Sequence, residues 1–342
     1  LHLSIRRQRQ MCIRDSYITM FNVRNGEIYM IKLKTFGSFT VGNDLTSVQE
    51  GAWRSEKLEK LFVYLAMNRN RGVCIEDISE AIWQVEEETD NPVGALKNLA
   101  YRLRKALRDA SFDEECIVSV RGGLYKWNDD VEVTIDVEEF DRYINEAEMA
   151  FCRSKETAIE SYEKAIALYH GDFLPLRTDT HWFMTLNAFY HSRYVNTVKA
   201  LAKLYIDTGC YEKLEQLCIR AIVYERSDEQ IYSYLIMARM RTKKVQMAFD
   251  TYETAKAIMD KDLGVRKTVM LNKVYEELLS VTKGVSSYNI DEVKEDINEE
   301  SMEGVFMCGY PVFKEIYHLE VRKSARSTVP ESCLLYTSDA AD

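Results

Sequence analysis

The chain has 342 residues, a formal net charge of −10 at pH 7 and 46% hydrophobic residues, a composition typical of a globular protein with two or three domains. The acidic balance excludes nucleic-acid binding by overall charge, so any such binding requires a local basic patch. The eight cysteines never form a CxxC pair, which argues against a metal cluster or a disulfide framework. We recognise no signal peptide and no membrane-spanning run, and expect a cytoplasmic protein.

The two ends of the sequence are interpreted as foreign. RQRQMCIRD at Arg7–Asp15 and CLLYTSDAAD at Cys333–Asp342 can be encoded by complementary DNA, as the two ends of a translated sequencing adaptor would be. We therefore expect residues 1–16 and 333–342 not to be native, and exclude them. We also expect the native protein to extend beyond the last insert residue.

The first elements in chain order are two strands and two helices. Alternating apolar and polar residues from Tyr29, followed by Gly42 and Asn43, predict a strand pair ending in a turn. RSEKLEKLFVYLAMNRNRG then predicts a helix, because Leu58, Leu61, Phe62 and Leu65 recur at helical spacing. CIEDISEAIW predicts a shorter second helix, and the acidic stretch EEETD (86–90) a loop.

A third helix is predicted at 91–108, and its residues 96–108, LKNLAYRLRKALR, hold five positive charges and no negative one. At 100° per residue one direction collects Leu96, Leu99, Ala100, Leu103 and Leu107, which predicts the buried stripe. Pro92 suits the first turn, and Asn91 suits the cap before it. Three interpretations of the basic face stay open at this point: a solvated helix face, a surface for an acidic partner, or a surface for the phosphates of DNA.

The segment CIVSVRGGLYKWND predicts a β-hairpin around Gly122 and Gly123. The order of strands, three helices and a hairpin over residues 29–134 closely resembles the OmpR-type winged-helix DNA-binding domain. The matching segments are IEDISEAIW, ALKNLAYRLRKAL and VSVRGGLYKW. The resemblance implies that helix 91–108 is the recognition helix, that 117–127 is the wing, and that the acidic loop faces RNA polymerase.

Individual residues are assigned roles from the chemistry of DNA. The major groove offers acceptors to arginine and lysine and a bidentate match to asparagine, so the candidates for base-edge contact are Asn98, Tyr101 and Arg102. Phosphate neutralisation supplies affinity but little sequence information, and its candidates are Lys97, Arg104, Lys105 and Arg108. In the wing, Arg121 and Lys126 are candidates for backbone or minor-groove contact.

After residue 134 the chain is predicted to be almost entirely helical. A 34-residue offset pairs Leu201 with Leu235, Leu204 with Ala238, Leu214 with Ala248 and Ala221 with Ala255. That period is typical of tetratricopeptide-like helix pairs. We therefore predict a mainly α protein with a small β component, in which a winged helix-turn-helix domain precedes a tetratricopeptide-like helical domain at 135–282.

The two parts together resemble the SARP/AfsR-type bacterial transcriptional regulators. ALYHGDFLP (167–175) and AKAIMDKDLGVRKT (255–268) match phrases of the helical domain of that family, although Arg266-Lys267 depart from its usual acidic residue and proline. The resemblance implies an activator that binds promoter DNA, with RNA polymerase as a partner and a homodimer formed through the helical domain. No receiver domain is found, so a phosphorelay would act on an upstream site or on a partner.

The rest of the sequence is interpreted as an acidic linker at 283–304 and the start of a truncated domain at 305–332, which resembles the first helix of a GGDEF- or cyclase-like domain. Two alternative functions remain open. One is a protein-interaction scaffold with a degenerate winged helix. The other is a regulator fused to a lost cyclase-like domain. We find no nucleophile–base pair and no phosphate-binding loop, and expect neither enzymatic activity nor a cofactor or metal.

Overall fold

The fold is described from a computed structural model over residues 30–43, 47–84, 91–112, 116–120, 123–263 and 268–285, together with Ile316, His318 and Leu319. The adaptor segments, the acidic loop 86–90, Arg121 with Gly122, and nearly all of the predicted linker and truncated domain lie outside the described residues. The strands are β1 (Ile31–Lys34), β2 (Thr40–Gly42), β3 (Ser47–Gln49), β4 (Ile117–Val120), β5 (Leu124–Trp127) and β6 (Val133–Ile135). The helices are α1 (Glu56–Met67), α2 (Ile75–Ile82), α3 (Pro92–Asp109), α4 (Asp136–Ala150), α5 (Lys155–Leu168), α6 (His181–Thr208), α7 (Tyr211–Tyr224), α8 (Glu229–Arg241), α9 (Val245–Leu263) and α10 (Val269–Val285).

The N-terminal sheet has four strands in the order β3-β2-β1-β6, whereas the sequence predicted only the β1–β2 pair. Strands β1, β2 and β3 are antiparallel, and β6 lies parallel to β1 with Ile135 opposite Leu33. The two unpredicted strands have three residues each, too few for an alternating pattern to be recognised. The edge strand next to β1 is therefore β6, which lies about 100 residues further along the chain.

Helices α1, α2 and α3 and the β4–β5 hairpin complete the winged helix-turn-helix domain, as predicted. Leu58, Leu61, Phe62 and Leu65 of α1 are buried, which confirms the helical spacing. The same helix also buries two charged residues, Glu59 and Lys60. Each has a partner in the helical domain, Arg177 for Glu59 and Asp179 for Lys60.

The helical domain runs from α4 to α10, with consecutive helices packed together from α4 to α9, and it confirms the predicted 34-residue repeat. All eight residues matched at that offset are buried. The turns match as well: Gly209 after α6 has φ +71° and Lys243 after α8, 34 residues later, has φ +61°. The hydroxyls of Thr208 and Thr242 donate to the carbonyls of Leu204 and Ala238 in equivalent positions. Lys243 therefore adopts the left-handed conformation that glycine adopts more easily.

The two domains share one hydrophobic core, which extends from Ile31 in β1 to Ala238 in α8. Phe36 contacts the rings of Phe140, Tyr169 and Tyr190 at centroid distances of 5.2, 4.9 and 5.7 Å. The chain after β1 pairs with the segment before α6, because the amide of Leu174 donates to the carbonyl of Thr35 at 2.9 Å. A Cβ on Gly37 would lie 2.6 Å from the carbonyl oxygen of His170, so this close approach requires glycine.

Charged groups at this junction are buried together with their partners. The carboxylate of Asp136 accepts hydrogen bonds from the amides of Thr35 and Phe36 at 2.8 and 2.9 Å, while burial raises its pKa. Arg177 binds Glu59 at 2.5 Å, and Lys60 pairs with Asp179. The hydroxyl of Thr180 donates to the carbonyl of Ala81, the last-but-one residue of α2, at 2.8 Å. The helical domain is thus fixed to α1 and α2 by specific polar contacts.

No helix in the described part of the chain has the length and apolar character needed to cross a membrane.

Candidate nucleic-acid interface

Helix α3 is formed and oriented as its sequence predicts. The side chain of Asn91 accepts a hydrogen bond from the amide of Gly94 at 2.9 Å, and Pro92 is the first helical residue. This cap satisfies one of the amides that have no partner within the helix. The predicted stripe is buried, and consists of Leu96, Leu99, Ala100, Leu103 and Leu107. Packing of this stripe against α1 and α2 fixes which side of α3 faces outward.

The outward side of α3 carries exposed basic, amide and phenolic groups. Six of the seven residues predicted on this helix to contact DNA are exposed, namely Lys97, Asn98, Tyr101, Arg102, Lys105 and Arg108. The Tyr101 side chain is 66% exposed. No carboxylate among the described residues forms an ion pair with Lys97, Arg102 or Lys105. The positive charges of Lys97, Arg102 and Lys105 are therefore not neutralised by ion pairs with described residues.

Arg104, predicted as a phosphate contact, has a hydrogen-bond partner within the protein. Its side chain is half-buried, and its Nε and Nη2 groups donate to the carbonyl oxygen of Ile117 at 3.2 and 2.9 Å. Because Ile117 is the first residue of β4, this arginine attaches α3 to the base of the wing. The prediction of Arg104 as a phosphate contact did not anticipate this internal partner, since a helical wheel gives a direction but not what is packed there.

The wing is an antiparallel hairpin of β4 and β5, with Ile117 opposite Trp127 and Val120 opposite Leu124. It is tied to the helices by Val73, just before α2, which exchanges both backbone hydrogen bonds with Tyr125 at 2.7 and 2.8 Å. Lys126 is half-exposed and pairs with Asp129 at 2.5 Å. Arg121 lies outside the described residues, so of the two predicted wing contacts only Lys126 has a described position.

Helix α2 has the opposite charge to α3. It exposes Glu76, Asp77 and Glu80. The first two lie in its first turn, where their negative charges interact favourably with the helix dipole. An acidic first turn repels phosphate. Of these two helices, α3 presents basic groups to solvent and α2 presents carboxylates.

The dimensions and chemistry of α3 suit a nucleic-acid groove. The major groove of B-DNA admits one α-helix, and its base edges accept hydrogen bonds from arginine and donate to or accept from asparagine. Helix α3 has 18 residues with a side chain of each of these types exposed on one face. Among the described residues no group of three histidine, cysteine, aspartate or glutamate side chains is arranged to hold a metal ion.

Comparison with known proteins identifies both parts of the chain. Residues 50–127 match the family model "Transcriptional regulatory protein, C terminal", and residues 135–279 match the "Bacterial transcriptional activator domain". A relative is the transcriptional regulator RedD of Streptomyces coelicolor, which is 23% identical over 238 residues, 69% of this chain and 67% of RedD.

A solved structure, Mycobacterium tuberculosis EmbR in complex with a low affinity phosphopeptide, resembles the chain with a TM-score of 0.57 and 19% identity. The similarity covers 77% of this chain and 70% of EmbR. At this identity the likeness establishes the fold: a winged helix followed by a tetratricopeptide-like helical region.

Proposed function

We propose that this chain, which belongs to the SARP/AfsR-type bacterial transcriptional regulators, binds promoter DNA with α3 in the major groove and with the β4–β5 wing beside it. The observation that carries the proposal is the exposed face of α3, where Lys97, Arg102 and Lys105 lack an acidic partner within the described residues. A charged surface of this kind on a rigidly packed helix is matched by the phosphates and base edges of a duplex.

Roles on this face follow from side-chain chemistry. Asn98, Tyr101 and Arg102 are proposed to contact base edges and so to determine sequence preference. Lys97, Lys105 and Arg108 are proposed to neutralise phosphates. In the wing, Lys126 and Arg121 would reach the DNA backbone or minor groove, with Lys126 first leaving Asp129. Arg104 is proposed to act indirectly, by holding the wing to α3.

The regulatory role is proposed to be activation in the bacterial cytoplasm, where promoter DNA lies. RNA polymerase would be contacted through the acidic loop at 86–90, and a homodimer would form through the helical domain. Any phosphorelay input would act on an upstream site or on a partner. The scaffold alternative is less favoured, because a surface used only for docking has no need of a capped helix with bidentate donors for base edges.

The experiment is selection of binding sites from a random duplex pool by the chain through residue 285, at several salt concentrations. The winged domain is not used alone, because removal of the helical domain would expose Phe36 and leave Lys60 unpaired. Enrichment of one motif, with an affinity that falls by about 0.9 log units per log unit of salt for each phosphate contacted, is expected.

The control variants have the same net charge change. R102A/K105A removes two cations of α3, and K256A/K273A removes two exposed cations of α9 and α10. We expect the first to lose motif enrichment and the second to keep it. Absence of binding at low salt by the wild-type chain would favour the scaffold function, as would equal binding by both double variants.

A further inference from the structure

The exposed large apolar side chains of the winged-helix domain lie on α3. Among the residues of this domain whose side chains the structure describes, Val93 is 43% exposed and Tyr101 is 66% exposed, whereas the other large apolar and aromatic side chains are buried or half-buried. One exposed apolar residue is ordinary on a protein surface. The informative observation is that both lie on the helix that is proposed to enter the major groove.

Val93 and Tyr101 lie on one ridge of α3. Residues four apart are neighbours on a helix surface, so Val93, Lys97 and Tyr101 follow one another along the helix. Lys97 forms no ion pair with a described residue, and the first turn of α3 holds no acidic residue. The side chain of Asn91 is engaged by the amide of Gly94. Val93 is therefore an exposed apolar group at the amino end of a ridge that carries a cation and a phenol.

The chemistry of valine restricts what this end of the ridge recognises on DNA. Val93 has neither a charge for a phosphate nor a donor or acceptor for the polar atoms of a base. Of the groups that base pairs present in the major groove, the apolar one is the C5 methyl of thymine. In helix-turn-helix proteins the N-terminal residues of the recognition helix contact base edges, and Val93 is the second residue of α3. The ring of Tyr101 offers a second apolar surface on the same ridge.

The separation of the two side chains sets the separation of the bases they reach. The step from Val93 to Tyr101 spans about 12 Å along an α-helix, and successive base pairs of B-DNA are about 3.4 Å apart. A helix that lies along the groove therefore brings the two side chains to bases about three to four pairs apart.

We propose that Val93 and the ring of Tyr101 determine part of the sequence preference by packing on the C5 methyl groups of two thymines at this separation. The inference rests on the proposed function and deepens it. Hydrogen bonds from Asn98 and Arg102 recognise nitrogen and oxygen atoms of the bases, and the apolar groups of the ridge recognise methyl groups.

The test uses the duplex selected by the chain through residue 285, with each thymine replaced in turn by deoxyuridine. Deoxyuridine lacks only the C5 methyl and pairs with adenine in the same way, so the hydrogen-bonding groups in the groove are unchanged. We expect the wild-type chain to lose affinity by about fourfold at two positions, the effect of one buried methyl group. Replacement of the other thymines is expected to leave its affinity unchanged.

Variants of the ridge assign each methyl group to a side chain. V93A should no longer respond to deoxyuridine at one of the two positions, and Y101A should no longer respond at the other, which a double-mutant cycle between protein and DNA measures. V269A makes the same change at a valine of α10 that is 79% exposed and lies outside the DNA-binding surface. It should respond as the wild type does at every position. All three side chains are exposed, so circular dichroism should give the wild-type melting temperature for each variant.

Several results would overturn the proposal. They are a selected motif without two thymines at this separation, a wild-type affinity that deoxyuridine leaves unchanged at every position, and equal deoxyuridine effects in wild type, V93A and Y101A. A changed response in V269A would also overturn it. In each case the proposed function stands as long as R102A/K105A loses the motif. If the wild-type chain selects no motif, or if R102A/K105A binds as the wild type does, the proposed function fails and this inference fails with it.

Discussion

Lys60 of α1 and Asp179, two residues before α6, form an ion pair across the junction of the two domains, and the lysine side chain is only 2% exposed while that of Asp179 is 33% exposed. Gln84 also donates to Asp179 at 2.9 Å, and Lys60 lies 5.8 Å from the ring centre of Phe183. A buried ammonium group is tolerated only with a close counter-charge. The winged domain therefore depends on the helical domain for its stability.

This dependence gives the first prediction. D179A leaves the Lys60 ammonium buried without its counter-charge and should lower the free energy of unfolding by about 3 kcal/mol. The double variant K60M/D179A removes the charge as well and should recover part of that loss. Urea unfolding of the chain through residue 285 measures both. If the double variant were no more stable than D179A, the unpaired charge would not be the cause of the loss.

The second prediction separates the two kinds of contact on α3. K105A should weaken binding to all duplexes alike and reduce the magnitude of the salt slope by about 1, as expected for one lost phosphate contact. R102A should cost about 1–3 kcal/mol with the selected motif and relax the preference at one base position. Titrations of motif and scrambled duplexes at several salt concentrations distinguish them. Identical behaviour of the two variants would contradict the separate roles.

The third prediction concerns Arg104. R104A removes two hydrogen bonds to the carbonyl of Ile117 and should reduce stability by about 1–2 kcal/mol, because charged donors to a half-buried carbonyl contribute at this level. It should also weaken DNA binding through the wing while the selected motif stays the same. A change of motif in R104A would instead mean that this arginine contacts bases. Unfolding and site selection on one variant provide both readouts.

The fourth prediction concerns the turn residues of the helical repeat. Lys243 has φ +61°, a conformation that costs a non-glycine residue about 1 kcal/mol. K243G should therefore stabilise the domain by roughly 0.5–1 kcal/mol, and G209A at the equivalent turn should destabilise it by about 1 kcal/mol or more. Thermal unfolding compares the two. A destabilising K243G would show that the lysine side chain makes an interaction outweighing the backbone strain.

The fifth prediction is a pH dependence centred on His191. Hydrogen bonds to Asp172 at 2.7 Å and Glu225 at 3.1 Å raise the pKa of this histidine to about 9, against about 6.5 unfolded. Since the folded pKa is the higher one, the stabilisation is complete below pH 6.5 and is lost as pH rises through 9.

For His191 the difference corresponds to on the order of 2–3 kcal/mol after allowance for its partial exposure. H191Q should be less stable than wild type at pH 6, and the two should converge above pH 9. Equal stability of the two chains at pH 6 would exclude a charged histidine in the folded state. Chemical unfolding at closely spaced pH values measures the difference.

Residues of α3 show how far sequence can predict such a site and where it stops. The buried stripe and the exposed set follow from helical periodicity alone, because both are properties of one segment. The contact of Arg104 with Ile117 depends on how the hairpin packs on the helix, which no local pattern encodes. The burial of Lys60 similarly depends on Asp179, 119 positions away. From helical periodicity alone a lysine is predicted to be exposed to solvent, because its buried counter-charge lies elsewhere in the chain.

Strand β6 pairs with β1 and is immediately followed by Asp136 at the start of α4, so no linker separates the winged-helix domain from the helical repeats. Proteins that read paired sites through tethered domains tolerate changes in the distance between those sites. In the proposed homodimer, two copies of this chain joined through their helical repeats would instead hold their α3 helices at one separation and one rotational phase. Inserting half a helical turn of DNA between paired sites should then abolish joint binding, and a full turn should also impair it, because it restores the rotational phase but not the separation. The rigid connection between the two domains would therefore make joint binding depend on the spacing of the two sites along the duplex.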